Sequence, residues 1–141
     1  MTTPSETPEQ TTKPAPTVWP GLRYDDAPAA LRFLVGVCGF TETLVVPGED
    51  RDVVHAELRW PEGGGVMLGS TNHREGVHDR MKPGASSVYV VTADPDAVYQ
   101  RVKAAGAPLL QDLHDTDYGS HTFTTTDPEG NMWTFGTYPG A

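Results

Sequence analysis

The stretch "DPEGNMWTFGT" at 127–137 decides how this chain is read, because "PEGGGVMLGS" at 61–70 nearly repeats it. Pro61, Glu62, Gly63 and Gly69 return as Pro128, Glu129, Gly130 and Gly136, at a constant offset of 67 residues. The same offset pairs Pro28 with Pro95, Ala30 with Ala97 and Gly39 with Gly106. His55 and His121 also correspond once one residue is allowed for ahead of the second "PEG". Both copies run in the same order, which describes an internal duplication within one domain. Two copies of so long a period do not make a solenoid.

Each copy parses in the same way. "TVWPGLRY" (17–24) and "SSVYVVT" (86–92) are rich in β-formers and predict strands. A helix is predicted after each. Asp25 or Asp26 caps the first, with Pro28 in its opening turn and Gly39 at its end; Asp94, Pro95 and Gly106 play the same parts in the second. Leu31, Leu34, Val35 and Cys38 make one apolar stripe, and Val98, Val102 and Ala105 the other, each read as facing a sheet. Three strands follow per copy, near 41–46, 52–60 and 65–70, then near 107–113, 118–126 and 131–137. The "WPEGGG" and "DPEGN" segments join the last two as tight turns. The order is βαβββ twice, 17–70 and 86–138, with a linker at 71–85. Residues 1–16 hold almost nothing to bury and predict a disordered tail ahead of one domain at 17–140.

A chain of 141 residues buries a core without staples. Its net charge of −9 and pI of about 4.8 repel phosphate backbones, and no basic stripe or aromatic platform points to nucleic acid. Such a surface tolerates a cationic ligand better than an anionic one. No apolar run approaches the roughly 18 residues needed to cross a bilayer, so no membrane is expected. The first residues lack the basic start and apolar middle of a signal peptide. Together with a single cysteine, Cys38, this suggests a reducing cytoplasm. Cys38 sits in the first helical stripe and reads as a small core residue, not a nucleophile.

A duplicated βαβββ unit with "DPEGN" before its last strand resembles the vicinal oxygen chelate superfamily, which groups glyoxalases, bleomycin-resistance proteins and extradiol dioxygenases. "LRYDDAPAALRFLVGVCGF" is similar to its first strand-to-helix segment and "YGSHTFTTTDPEGNMWTFGTY" to its closing hairpin. The resemblance covers about 17–138. It implies an α+β fold in which the two repeats form a curved mixed sheet around a cavity, with helices outside, and it implies a homodimer. Metal-using relatives place His, Glu or Gln at four repeat-related strand positions. Carried over one at a time, these fall on Trp19, Met67, Ser86 (or Val88 in a register shifted by two) and Thr134. None is a usual ligand for a catalytic divalent ion, which needs oxygen or imidazole donors and an open coordination position. The usual metal site is therefore absent from the sequence, and no cofactor is expected.

The histidines offer one substitute. "VVHAELRW" alternates, with Val54, Ala56, Leu58 and Trp60 on one face and His55, Glu57 and Arg59 on the other. If the apolar face packs on the helix, the polar face looks into the cavity. A displaced metal held by His55, His121 and Glu57 is one alternative; acid–base chemistry by Glu57 and His55 is another. His73 and His78 read as parts of a solvated linker, and His114, beside Asp112, Asp115 and Asp117, as a polar connection. No nucleophile elbow, phosphate loop or dinucleotide fingerprint occurs.

The expected function is metal-free binding of a small aromatic or amphipathic, even cationic, molecule, as bleomycin-resistance proteins do in antibiotic resistance. Trp19, Met67 and Val88 would wall the site, and Arg23, His55, Glu57, Ser86, His121 and Thr134 would orient the ligand. The alternative is a glyoxalase- or dioxygenase-like enzyme, a lyase, isomerase or oxygenase.

Overall fold

The computed structural model describes residues 14–72 and 77–141. Most of the expected tail (1–13) and His73 lie outside the described residues. Repeat one runs β1 (Gly21–Tyr24), α1 (Ala27–Leu31), a π-helical continuation (Arg32–Cys38), β2 (Thr41–Pro47), β3 (Val53–Arg59) and β4 (Gly65–Ser70). After a single 3₁₀ turn at Val77–Arg80, repeat two runs β5 (Ser87–Val91), α2 (Pro95–Ala104), β6 (Leu109–Asp115), β7 (His121–Thr126) and β8 (Met132–Gly136).

The helix signals act as their chemistry requires. Asp26 and Asp94 each accept from the backbone N–H three residues on, at 3.1 Å. The helices end at Gly39 (φ 107°) and Gly106 (φ 76°), in the left-handed region that a Cβ disfavours. The first helix departs from the expected regular spiral. Gly39 N–H reaches back five residues to the Leu34 carbonyl at 3.1 Å, a wider π turn. The predicted stripe still packs on the core, with Leu34 and Cys38 buried and Leu31 and Val35 half-buried against it, and Phe33 joins them. In α2, Ala105 is the exposed cap residue, and Tyr99 joins Val98 and Val102 in the core.

The expectation of one curved mixed sheet around a cavity is corrected. The eight strands form two separate, open four-stranded sheets, ordered β1-β4-β3-β2 and β5-β8-β7-β6. In each, the first and last strands of a repeat pair in parallel and the other neighbours are antiparallel. The reason lies in where the apolar faces go. Ala56 and Leu58 of β3, Val66 and Leu68 of β4, Phe123 of β7, and Trp133 and Phe135 of β8 all join one buried core with Phe33, Leu34, Val98 and Val102. Aromatic contacts run through it from Tyr99 to Phe123, Phe135, Trp60, Phe40 and Trp133, at centroid distances of 4.9–5.7 Å. With both apolar faces spent on this shared core, the polar faces turn outward and do not enclose a common chamber.

The repeated Pro-Glu-Gly turns couple the halves. Glu129 accepts from the Asp25 and Asp26 N–H groups at 2.8 and 2.7 Å, at the start of α1. Glu62 accepts from the Ala93 N–H at 2.9 Å, at the start of α2. Each turn thus satisfies orphan donors at the helix entry of the other repeat. A second exchange accompanies it: Tyr24 Oη donates to Asp127 at 2.6 Å, and Trp60 Nε1 donates to the Val91 carbonyl at 3.0 Å.

Candidate functional site

The open face of the first sheet carries the side chains that alternate with the core. Strand register sets Gly21, Met67, Glu57 and Leu44 in one row, and next to it pairs Arg23 with Gly69 and His55 with Val46. The register shifts between Val46 and Pro47, so Val54 bulges out of its apolar row and is exposed, where alternation had placed it with Ala56 and Leu58. Trp19, ahead of β1, covers Gly65; a Cβ there would stand 2.7 Å from the indole. The segment 17–20 adds no ladder of its own, although the Pro20 carbonyl accepts from Met67 N–H at 2.9 Å. Pro cannot donate to a ladder, which shortens the expected strand.

A cavity of about 470 Å³ lies on this face. Trp19, Arg23, His55 and Met67 line it, together with Gly69 and with His78 and Met81 of the linker. Glu57 does not line it but accepts from His55 Nε2 at 2.8 Å, both side chains being half-buried. A carboxylate only accepts, so this contact places the proton of a neutral His55 on Nε2.

The remaining candidates lie in repeat two, away from that cavity. Ser86 is held to the turn, its N–H donating to Asn131 Oδ1 at 2.9 Å. Val88 lines a different groove of about 560 Å³, with Val18, Phe40, Trp60 and Tyr89. Thr134 shares a hydroxyl–hydroxyl bond with Thr124 at 2.8 Å on the open face of the second sheet. His121 is clamped, with Nδ1 2.7 Å from Asp115 and Nε2 2.7 Å from Asp96. Hydrogen bonds to Asp115 and then Asp96 raise its pKa. His55 and His121 therefore sit on separate sheets, the first held by Glu57 and the second by Asp96 and Asp115.

Linker residues His78 and Met81 were hidden from sequence reading, since nothing local tells a loop that returns over a sheet from one that does not. His114 bonds the Asp112 carbonyl through Nδ1 at 2.8 Å, within a polar connection. Cys38 is fully buried and its thiol is pushed up to about 12, mainly by burial, which leaves it a core residue.

The donors do not suit the family's divalent ion. Trp19, Met67, Ser86, Val88 and Thr134 supply no carboxylate or imidazole at the four expected positions. Among the described residues, no group of three or more His, Cys, Asp or Glu side chains is arranged to hold a metal. Among them, too, no helix is long and apolar enough to cross a membrane.

Residues 16–135 match the family described as Glyoxalase/Bleomycin resistance protein/Dioxygenase superfamily. TioX from Micromonospora sp. ML1 is 33% identical and superposes with a TM-score of 0.71, over 82% of this chain and 93% of that one. An uncharacterized protein of Mycobacterium tuberculosis, Rv0887c, is 32% identical over 126 residues, 86% of this chain and 74% of its own length. TnmS3, an antibiotic binding protein from Streptomyces sp. CB03234, shares the fold at 22% identity and a TM-score of 0.63, over 82% of this chain and 88% of its own. With its duplicated βαβββ order, its turn motifs and this match over most of its length, the chain belongs to the Glyoxalase/Bleomycin resistance protein/Dioxygenase superfamily.

Proposed function

We propose that this protein is a metal-free binding protein that sequesters a small aromatic or amphipathic molecule on the open face of its first sheet. The cavity of about 470 Å³ carries the reading: it unites Trp19, Met67 and Met81 as apolar wall with Arg23, His55 and His78 as polar groups. A few polar groups set in an apolar hollow is the usual composition of a ligand site. The antibiotic binding of TnmS3, on the same fold, is consistent with holding a ligand without chemistry. A homodimer is part of the proposal, since Tyr89, Val91 and Met132 leave apolar area exposed on the second sheet. A monomer in sizing chromatography contradicts that part.

A thermal-shift screen against aromatic antibiotics and metabolites tests the reading. A compound at about a hundred times its Kd adds roughly 2.7 kcal/mol of stability. The expected result is a rise of several degrees that is lost on Trp19→Ala. Stoichiometric Zn, Ni, Fe or Mn in protein purified without chelator contradicts the metal-free reading and favours the glyoxalase- or dioxygenase-like alternative.

A further inference from the structure

His55 is the one cavity-lining side chain whose ring nitrogens can be told apart from its surroundings. Its Nε2–H is committed to Glu57 at 2.8 Å, which leaves a lone pair on Nδ1. Nδ1 has no hydrogen-bond partner among the described residues. A hydrogen-bond donor therefore suits this atom, and a second acceptor does not.

The surroundings set the shape of what carries that donor. Gly69 of β4, the strand between β1 with Arg23 and β3 with His55, has no side chain, and those two flanking strands stand about 9–10 Å apart. Gly69 is locked as glycine, because a Cβ would stand 2.9 Å from the Val54 carbonyl oxygen. The backbone of Val53 and Val54 therefore fills the space over Gly69, and the Val54 carbonyl stands beside it. Met67, Trp19 and Met81 supply apolar lining to the cavity. The flat apolar face of an aromatic ring suits this lining.

We propose that the cavity selects an aromatic molecule bearing an acidic hydroxyl, a phenol, whose O–H donates to His55 Nδ1 while Glu57 holds Nε2–H. This rests on the binding function proposed above and narrows its ligand class. Arg23 has only donors, so the acceptors among the polar side chains of the cavity are imidazole nitrogens, and His55 Nδ1 is the one whose role is fixed by a carboxylate on the opposite nitrogen.

The test compares 2-naphthol with 2-methoxynaphthalene and with naphthalene by equilibrium dialysis. Naphthalene guards against a purely steric effect of the methoxy group. Wild-type protein is expected to hold 2-naphthol about tenfold tighter than either analogue, the effect of one well-made hydrogen bond. In His55→Phe that preference is expected to fall to about one, while naphthalene still binds and so shows an intact cavity. Equal binding of all three by the wild type, or a preference that survives His55→Phe, overturns the phenol selectivity and leaves cavity binding standing. Failure of all three to bind overturns both.

Discussion

Two side chains hold charge in ways that make separate demands on the fold. Asp127 is buried and accepts five hydrogen bonds: Oδ2 from Tyr24 Oη, Asn131 Nδ2 and Trp133 Nε1, and Oδ1 from the Glu129 and Asn131 N–H groups. Burial, and then its bond to Asp127, push the Tyr24 hydroxyl far above its usual range, so it stays a donor. Asp127→Ala leaves several buried donors unmet and is expected to cost about 3 kcal/mol or more, read from the urea midpoint. A change under about 1 kcal/mol contradicts the role. His121 works at the surface. Both ring nitrogens face carboxylate oxygens, an arrangement that needs the doubly protonated ring. Its folded pKa is raised above the unfolded value of about 6.5, so the clamp's contribution is full below that value. It is lost as pH rises through the raised folded value. The urea midpoint of the wild type is therefore expected to fall across that window relative to Asp96→Asn/Asp115→Asn; parallel profiles contradict it. The buried Asp127 follows the repeat only in part. Its repeat partner is Trp60, so the offset located the position without revealing the carboxylate's five donors.

At the scale of elements, the repeated glutamates explain why the turn motif echoes. Glu129 serves two N–H groups at the entry to α1, and Glu62 serves one at the entry to α2. Glu129→Ala is expected to destabilise by about 1 kcal/mol, as loss of a helix-entry cap does, and Glu62→Ala by less. Calorimetric melting compares them, and a larger loss for Glu62→Ala contradicts the assignment. The helix caps, the glycine ends and the tight turns were legible because each rests on residues within a few positions of one another. The glutamate exchange was not, because donor and acceptor stand about a hundred residues apart in one case. Two further features escaped for the same kind of reason. The bulge that turns Val54 outward depends on strand pairing with β2, and the π turn depends on how the first helix meets the core.

For the whole molecule, alternation along the strands identified which side chains share a face, and His55 and Glu57 do lie together. It carried no information on whether that face closes around a chamber. The outcome was decided by one core that draws both helices and both apolar faces together, which leaves two open sheets where a single curved one was expected. Repeat symmetry likewise grouped Ser86, Val88, His121 and Thr134 with the repeat-one candidates, yet only Trp19, Arg23, His55 and Met67 line the cavity. Among the described residues, His78 and Met81 of the linker add to the lining on the first face. The central claim is that this face is where a ligand sits, and nitrogen-labelled protein titrated with 2-naphthol addresses it most directly by heteronuclear NMR. The expected result is saturable shifts at the Trp19 indole and at the amides of Gly21, His55, Met67 and Gly69, with Ser86 and Thr134 still. Shifts confined to repeat two, or none at saturating ligand, would contradict the claim.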